Sequence, residues 1–511
     1  MRLTDQQAVA AASQERLVHI VSAPGSGKTT VAAERYGFQR FSKSDPRGVL
    51  GLTFNRAAAA ELLSRTRARW GSGCVRAPHE VITFDHLHVR ILQRLLADAL
   101  IHWPNGHTRL DVRDDYRGLN GFRFLKPPAN YRRVAGLDES RKVVSIGLKV
   151  DSPTTGIGTR SAHQELLAMG IASHEDVRAV LVAAMTLAEL REQVAGWLSS
   201  SFRSVIIDEV YDASSLDILI AYLAAGRGLS VTLIGDPWQA LYKWRGAEPE
   251  VVHRTIAETS DQFVEYEQTQ SFRFVGEQMP RLASDLRRGV PVTLPTISSN
   301  EVDVALARHW GRLWSVGDNV LPLAFRTVDN KTDASLNLLL DVVTRSRLGV
   351  TSFGREGAIA KLGLNREIFL NQQDQVFEPI LADLRAGLDA SVAIDLLRDA
   401  VSALGARRPN KLKEDSEADR VAQLAALSVR LRQSALVPGL TVFQAKGREW
   451  DRVGVVLSGP EEELLASGLQ KLDDDSCGLY VAITRARRLC GQLQKGSPPL
   501  LDLDPDGSVD L

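Results

Sequence analysis

Short apolar segments alternate with longer amphipathic segments near both ends of the chain. In the N-terminal half the pattern predicts five strands and, between them, helices such as Ala57–Trp70. Strands that alternate with helices form parallel sheets, so the pattern predicts an α/β fold. The five predicted strands are Leu17–Ser22, Gly48–Phe54, Glu80–Phe84, Ser204–Glu209 and Leu229–Asp236.

A second region of alternating strands and helices follows, and both regions are interrupted by other sequence. The first interruption, between Phe84 and Ser204, is mostly helical in pattern and contains the basic, aromatic segment Tyr116–Arg133. The second contains a helical stretch, Glu367–Leu404, and a charged linker, Arg407–Arg420, which we predict to be solvated. The strands predicted for this second region are Val264–Glu267, Asn319–Arg326 and Arg452–Leu457.

Composition narrows the class of protein. At 511 residues the chain is too long for one core, and 44% hydrophobic with 24% charged residues is ordinary for a globular protein. Lys+Arg 62 equals Asp+Glu 62, so any binding to nucleic acid must depend on local basic patches. The three cysteines lie far apart, and no run of about 20 apolar residues occurs. These features predict a cytoplasmic protein without a membrane span.

The segment "SAPGSGKTT" (Ser22–Thr30) follows the first predicted strand and opens a helix, which is the context of a phosphate-binding P-loop. Small residues let backbone N–H groups curl around phosphate oxygens, and the helix N-terminus adds positive potential. Lys28 would reach the β- and γ-phosphates, and Thr29 would ligate Mg²⁺. A chance match is the alternative, and the preceding strand argues against it.

An acidic pair, Asp208 and Glu209, ends the apolar strand of "VIIDEVYD". Such a pair can hold a metal ion and take a proton from an attacking water. On its own it is more often a helix-start device. Its combination with a P-loop favours catalysis.

The segment "IGDPWQALYKWRGA" (Ile234–Ala247) combines two tryptophans, a tyrosine, a lysine and an arginine in one short stretch. Burial of its polar side chains without partners would cost several kcal/mol. Exposed aromatic side chains favour association. The segment therefore indicates a binding surface, and the alternative is that Trp238 and Trp244 fill a core between domains.

These segments resemble the UvrD/Rep/PcrA family of superfamily 1 helicases, in family order along most of the chain. The resemblance implies two RecA-like cores with parallel sheets, each carrying a mainly helical insertion, with the second insertion reduced. It places the first core at residues 1–88 and 200–265 and its insertion at 89–199. The second core falls at 266–345 and 435–511 and its insertion at 346–434, a segment that we predict to be hardly a full domain. The matching segments are "LTDQQ" (Leu3–Gln7), "TFNRAAAAEL" (Thr53–Leu62), "TFDHLHVRIL" (Thr83–Leu92), "IGDPWQALYKWRGA", "QSFR" (Gln270–Arg273), "TVFQAKGREWD" (Thr441–Asp451) and "LYVAITRAR" (Leu479–Arg487).

The resemblance implies a role for each matching residue. The catalytic set is Lys28, Asp208, Glu209, Gln239, Arg273 and Arg485, in which the two arginines stabilise charge on the γ-phosphoryl group and Gln239 senses it. Thr29 and Asp208 would hold Mg²⁺. The nucleotide-binding set is Gln7, Ser22, Ala23, Pro24, Gly25, Ser26, Gly27, Lys28, Thr29, Thr30, Phe272, Arg273, Gly447, Glu449 and Arg485, with Gln7 reading adenine, Phe272 stacking on it and Glu449 holding the ribose. The DNA-binding set is Phe54, Asn55, Arg56, Tyr242, Trp244, Arg245 and Phe443.

Three positions depart from the family pattern. Tyr211 replaces the glutamine that usually follows the acidic pair, Thr30 replaces an arginine that packs on adenine, and Phe443 replaces a histidine that contacts DNA.

The resemblance implies an ATP- and Mg²⁺-dependent translocase or helicase that moves 3′ to 5′ on single-stranded DNA and acts on 3′-tailed duplexes, for instance in DNA repair. The alternative is a regulatory ATPase that senses nucleic acid and licenses a separate nuclease, for instance in phage defence. A nucleotide-binding scaffold without turnover is disfavoured, because every catalytic position is filled.

Overall fold

The computed structural model describes residues 3–114, 116, 129–154, 159–241, 246–259 and 263–493, without the side chains of residues 129–131 and 150–154. The chain divides into two compact units, with the boundary between Phe272 and Arg273. No helix of the described residues is long and apolar enough to cross a membrane.

Strands of the described residues are numbered in chain order. They are β1 Leu17–Ser22, β2 Gly48–Thr53, β3 Glu80–Thr83, β4 Asp111–Arg113, β5 Ala129–Leu137, β6 Val143–Thr154, β7 Ile171–Ser173, β8 Phe202–Asp208, β9 Ser230–Gly235, β10 Val264–Gln268, β11 Thr296–Ile297, β12 Val304–Ala307, β13 Val320–Pro322, β14 Val437–Thr441, β15 Trp450–Val455 and β16 Ala486–Leu493.

The α-helices of the described residues are numbered in the same way. They are α1 Asp5–Ala12, α2 Lys28–Phe41, α3 Arg56–Trp70, α4 Phe84–Ala97, α5 Arg160–Ala168, α6 His174–Met185, α7 Ala188–Ser201, α8 Ser215–Gly226, α9 Pro249–Glu258, α10 Gln278–Arg287, α11 Trp310–Trp314, α12 Lys331–Leu348, α13 Arg355–Leu362, α14 Arg366–Ala386, α15 Ala390–Ala403, α16 Glu414–Leu431, α17 Val442–Ala445, α18 Gly459–Ser467 and α19 Asp474–Ile483.

The first unit is built on a six-stranded sheet in the order β10-β1-β9-β8-β2-β3. Every pairing in it is parallel, and β2, β8 and β9 are buried along their whole length. Strands buried on both faces are continuously apolar, which is why the sequence pattern located them within two residues. The predicted parallel α/β fold is confirmed.

Strand β10 corrects the prediction for Val264–Glu267. We predicted this strand for the second core, but it pairs with β1 at the edge of the first sheet, with Val18 opposite Val264 and Ser22 opposite Gln268. The first unit accordingly runs to Phe272 and not to residue 265. A short strand carries no local signal that names its sheet, because pairing is decided by non-local backbone hydrogen bonds.

The insertion of the first unit is less helical than predicted. Helices α5, α6 and α7 are present, but β5 and β6 form an antiparallel hairpin and β4 pairs with β7. Buried Asp176 joins hairpin and helices, because its carboxylate accepts hydrogen bonds from the Ala135 amide at 2.7 Å and the Ser173 hydroxyl at 2.6 Å. Residues 117–128 of the basic, aromatic segment lie outside the described residues.

The second unit contains another six-stranded sheet, in the order β11-β16-β15-β12-β14-β13, and all its pairings are parallel. Two of the predicted strands lie in it. The strand predicted at Arg452–Leu457 is found at Trp450–Val455, and the one predicted at Asn319–Arg326 is limited to Val320–Pro322. Two parallel sheets agree with the two RecA-like cores that the resemblance implies.

The second insertion is a packed helical body with four helices, α13 to α16, where we predicted one helical stretch and a linker. That it is hardly a full domain stays a prediction, because its core is continuous with Trp314, Leu321 and Phe325 of the second core. Helices α12 to α16 share one core, which includes Phe369, Phe377 and Leu384. The predicted helical stretch Glu367–Leu404 is two helices, because Gly387 adopts a left-handed φ of 107° that ends α14, and the Asp389 side chain then caps α15.

The charged linker is also corrected. Its second part forms the start of α16, where Glu417 and Arg420 are buried instead of solvated. Arg420 donates to Asp333 of α12 at 2.9 Å, and Arg398 of α15 donates to Glu417 at 2.6 Å. Burial of a charge is costly only when it lacks a partner, and the partners here lie far away in sequence.

Phe377→Ala is expected to destabilise this helical body by about 3–5 kcal/mol, because the phenyl ring is fully buried and its removal leaves a cavity. The control on the same helix is Ile368→Ala, a half-exposed position where we expect a change within about 0.5 kcal/mol. Urea unfolding, monitored by limited proteolysis within residues 331–431, measures the free energy of unfolding of both variants. Equal urea midpoints for Phe377→Ala and Ile368→Ala would show that α12 to α16 do not form one core.

Candidate functional site

The P-loop connects β1 to α2 in a conformation that only small residues allow. Gly25 and Gly27 have φ of 71° and 84°, in the left-handed region that favours glycine. The Ser26 amide donates to the Ala23 carbonyl at 3.1 Å, and α2 begins directly at Lys28. The Ser26 hydroxyl is buried and has no hydrogen-bond partner among the described residues. A buried hydroxyl without a partner in such a loop fits a phosphate site, because it can donate a hydrogen bond to a phosphate oxygen.

The segment after β10 braces this loop from the other side. The Ser22 hydroxyl donates to the Gln268 side chain at 3.1 Å, and the Ala23 amide donates to the Gln268 carbonyl at 2.8 Å. The Ser271 hydroxyl donates to Pro24, and the Phe272 amide donates to Gly25 at 2.9 Å. Phe272 therefore lies beside the loop as a residue that is 56% exposed, which suits a side chain that stacks on a base.

Gln7 is brought to the loop as well, by the capping box that starts α1. Its Nε2 donates to the Ser26 carbonyl at 2.8 Å, and its Oε1 accepts from the Thr4 amide at 3.0 Å. In this structure the amide thus fixes the P-loop, and its reading of adenine stays a prediction.

Three predicted catalytic side chains meet at the carboxyl edge of the first sheet. Lys28 Nζ lies 3.8 Å from Glu209 Oε1 and donates to Gln239 Oε1 at 3.4 Å. Gln239 Nε2 donates to Asp236 at 2.7 Å, which orients the amide. The carboxyl ends of neighbouring parallel strands share one edge, which is why residues distant in sequence converge there.

Asp208 lies deeper than its neighbour. Burial raises the pKa of its carboxyl to about 7, the charge of Glu209 acts in the same direction, and Lys28 and a hydrogen bond from Thr29 oppose the shift. Oxygen donors of this kind, a carboxylate beside a hydroxyl, suit Mg²⁺, whose charge would favour the ionised carboxylate. The residues present fit the metal ion that the resemblance implies.

Glu209 has an unusual backbone. Its φ of 60° is in the left-handed region, which a non-glycine residue adopts at a cost of about 1–3 kcal/mol. The conformation starts the tight turn Val210–Asp212 and leaves the carboxylate partly exposed. Backbone strain of this kind is concentrated at functional sites, which agrees with a role in the reaction.

Sequence reasoning missed Arg65 of α3. Its guanidinium donates to the Thr30 hydroxyl at 2.7 Å, so it brings an arginine to the position where Thr30 itself departs from the family pattern. No local motif signals this contact, because 35 residues separate the two side chains.

The predicted DNA-binding residues of the first unit are only partly described. Phe54 stacks on Phe84 with ring centroids 4.9 Å apart, and Asn55 caps α3. Arg56 is exposed, and its 3.7 Å contact with the equally exposed Asp114 contributes little energy. Tyr242, Trp244 and Arg245 lie outside the described residues.

In the second unit the structure joins two predicted residues to each other. Arg273 donates to Glu449 at 2.9 Å and to the Thr484 carbonyl at 2.7 Å. Arg485 is almost fully buried, and its Nε donates to the Val481 carbonyl at 3.1 Å. Gly447 lies in the turn before β15 with a φ of 83°, and Phe443 lies in α17, half-buried.

The family model for the UvrD/REP helicase N-terminal domain matches residues 3–126 and 159–259, which include the P-loop and the acidic pair. These two segments of the chain are therefore similar to UvrD/Rep/PcrA-like helicases. The gap in the match, 127–158, contains the β5–β6 hairpin, so the hairpin is where this UvrD-like chain departs from the family model.

The individual relatives to which the chain is similar are named as DNA helicases. The UvrD-like chain is 27% identical over 270 residues to DNA helicase II of Salmonella typhimurium, which covers 50% of this chain and 36% of the relative. It is 24% identical over 561 aligned positions to ATP-dependent DNA helicase UvrD2 of Mycobacterium bovis, covering 95% of this chain and 77% of that protein. With ATP-dependent DNA helicase PcrA of Staphylococcus aureus it shares 24% identity over 272 residues, 48% of this chain and 34% of the relative. The chain thus spans about a third of the length of DNA helicase II and PcrA.

Proposed function

We propose that this chain is an ATP-dependent motor that moves 3′ to 5′ along single-stranded DNA and separates 3′-tailed duplexes. The observation that carries the proposal is the convergence of Lys28, Glu209 and Gln239 beside a braced P-loop. Relatives named as ATP-dependent DNA helicases support it. Three free cysteines, all buried, suit the reducing cytoplasm that we propose as its location.

Each candidate site residue of the first unit has a role in the proposed hydrolysis. Lys28 and the loop amides bind the phosphates, and Phe272 stacks on the base. Thr29 and Asp208 would hold Mg²⁺, which would supply positive charge to the phosphate oxygens. Glu209, exposed enough to contact solvent, accepts a proton from the attacking water. Gln239 is oriented by Asp236 and contacts the γ-phosphate, so that its position changes with hydrolysis and moves the segment that follows it.

Arg273 and Arg485 are proposed to contribute to turnover as charge-stabilising groups. The bond between Arg273 and Glu449 holds the guanidinium in one orientation, which lowers the entropy lost when it binds an anion. Arg485→Ala is expected to slow turnover by roughly 10²-fold or more with a small change in nucleotide affinity. Stopped-flow hydrolysis and equilibrium titration measure the two quantities. A loss of affinity alone would assign Arg485 to ground-state binding.

For the DNA contacts we propose stacking of unpaired bases on Tyr242, Trp244 and Phe443, with Arg56 and Arg245 on phosphates. Base stacking contributes about 1–3 kcal/mol per base and tolerates any sequence, which a translocating motor requires.

Trp244→Ala is expected to reduce DNA-stimulated hydrolysis and to raise the DNA concentration needed for half-stimulation by roughly 10-fold or more, while hydrolysis without DNA is retained. Trp244→Phe is the matched control, because it keeps an aromatic face. A Trp244→Ala protein that melts early, with Trp244→Phe unaffected, would assign Trp244 to a core.

The test of the whole proposal combines ATP hydrolysis, with and without single-stranded DNA, and strand displacement from duplexes with a 3′ or a 5′ tail. We expect hydrolysis to be stimulated by DNA and only the 3′-tailed duplex to be opened. Stimulated hydrolysis without displacement would overturn the helicase proposal and favour a regulatory ATPase. Displacement from the 5′ tail would overturn the polarity.

A further inference from the structure

Tyr211, which departs from the family pattern, follows strand β8 and reaches past the end of β9 to β1. Glu209, with its left-handed backbone, precedes the turn Val210–Asp212. The Tyr211 side chain in this turn is buried. The Tyr211 hydroxyl lies 3.1 Å from Nε2 of His19 on β1, whose Nδ1 lies 2.9 Å from Glu265 on β10. Burial lowers the pKa of His19, with the Glu265 contact opposing the shift. In the neutral ring, Nδ1–H donates to the Glu265 carboxylate, and Nε2 accepts a hydrogen bond from the Tyr211 hydroxyl.

The Tyr211 ring rests on the last residue of β9, which is Gly235. A Cβ added at Gly235 would lie 2.7 Å from Tyr211 Cδ2 and 3.1 Å from Val210 Cγ1, both closer than ordinary contact. The φ of Gly235 is outside the left-handed region. Glycine is therefore needed here for space and not for conformation, and the space it leaves is filled by the tyrosine.

The residues that follow Gly235 lead directly to the phosphate-binding lysine. Asp236 accepts from the Trp238 amide at 3.2 Å and from the Gln239 side chain at 2.7 Å. The backbone N–H of Gln239 donates to the backbone carbonyl of Asp236 at 2.9 Å, which closes a turn. Gln239 Oε1 then accepts from Lys28 at 3.4 Å. A displacement of Gly235 would therefore move Gln239 relative to Lys28.

We propose that Tyr211 is a positioning residue of the nucleotide site: its ring supports Gly235 and its hydroxyl is anchored on His19, so that the Asp236–Gln239 turn keeps Gln239 against Lys28. The tyrosine thus links the end of strand β8, with its acidic pair, to the turn after β9 by packing. The family pattern has a glutamine at this position. This inference rests on the proposed ATP hydrolysis for its kinetic test and on the apo protein alone for its structural one.

The kinetic test is a double-mutant cycle of Tyr211→Leu with Gln239→Ala. If Tyr211 acts through Gln239, Tyr211→Leu should lower kcat by roughly 10-fold in the wild-type background, with KM for ATP changed less than about 3-fold. In the Gln239→Ala background it should lower kcat by less than about 2-fold. Equal factors in both backgrounds would overturn the proposal. Tyr36→Phe, which removes a buried hydroxyl bonded to the Val49 carbonyl on another part of the sheet, is the control and should leave kcat unchanged.

Gly235→Ala offers an independent variant in which Tyr211 itself is kept. The added methyl group should lower kcat with Tyr211 in place and have a clearly smaller effect in a Tyr211→Ala background, which removes the ring atoms and leaves only the 3.1 Å contact with Val210. An undiminished Gly235→Ala defect in the Tyr211→Ala background would contradict the role of the ring.

Amide hydrogen exchange of residues 236–240 in the nucleotide-free protein tests the mechanical link without turnover. Tyr211→Leu should raise exchange of the Trp238 and Gln239 amides by roughly 10-fold or more, and Tyr36→Phe should not. Faster local exchange in a chain whose wild type does not hydrolyse ATP would refute the proposed function and still support the inference. Unchanged exchange would overturn the inference whatever the turnover.

Discussion

Nucleotide turnover is expected to fall by about 10²- to 10⁴-fold in Glu209→Gln, with nucleotide affinity retained. Glutamine keeps the shape of the side chain and its partly exposed position 3.8 Å from Lys28, but it cannot accept a proton from water. Steady-state ATP hydrolysis and titration with a fluorescent nucleotide measure the two effects separately.

The control for Glu209→Gln is Glu267→Gln, which neutralises an exposed carboxylate on the edge strand β10 of the same sheet. It should leave turnover unchanged. If Glu209→Gln hydrolyses ATP at the wild-type rate, Glu209 is not the general base. If the variant loses affinity as well as turnover, its carboxylate acts mainly by holding Lys28 in place.

Lys28→Ala is expected to abolish turnover and to weaken ATP binding by about 10- to 150-fold, because hydrogen bonds to charged groups contribute about 1.5–3 kcal/mol. The lysine begins α2 and its amine lies at the edge of the P-loop, between Glu209 and Gln239. The loss should grow with the number of phosphates, so that AMP binding changes least and ATP binding most. Competition of AMP, ADP and ATP with a fluorescent nucleotide measures the series.

Lys43→Ala is the matched control, since it removes an exposed lysine just beyond the other end of α2. Equal loss of affinity for all three nucleotides in Lys28→Ala would show that the lysine acts on the folding of the loop. Retained turnover would remove the P-loop assignment and with it the proposed function.

The parts of the fold that the sequence predicted well are those whose signal is local. Strand β1 was predicted at its observed bounds, and the P-loop followed from Gly25, Gly27 and Lys28, since left-handed turns and helix starts depend on neighbouring residues. The acidic pair was located because the apolar run that precedes it is a strand buried along its length. For the same reason the parallel α/β class needed no coordinates.

Most of the errors concern interactions between distant segments. Val264–Gln268 was assigned to the wrong sheet because only its pairing with β1 decides where it belongs. The second insertion was underestimated because the ion pair of Arg420 with Asp333 satisfies a charge that sequence alone shows as solvated. The β5–β6 hairpin was missed within a segment read as mostly helical.

The sequence by itself determined the parallel α/β class and the resemblance to UvrD-like helicases, from which the candidate site residues were predicted, because motifs and apolar periodicity are properties of short segments. Only the tertiary structure decided what those residues touch: Gln7 on the P-loop, Arg273 on Glu449, Arg65 on Thr30 and Tyr211 on Gly235. Such contacts join residues that are far apart along the chain, and their existence depends on which strands pair and which side chains a glycine leaves room for. A tyrosine in place of a glutamine is visible in the sequence, but the missing Cβ that accommodates it is visible only in the fold.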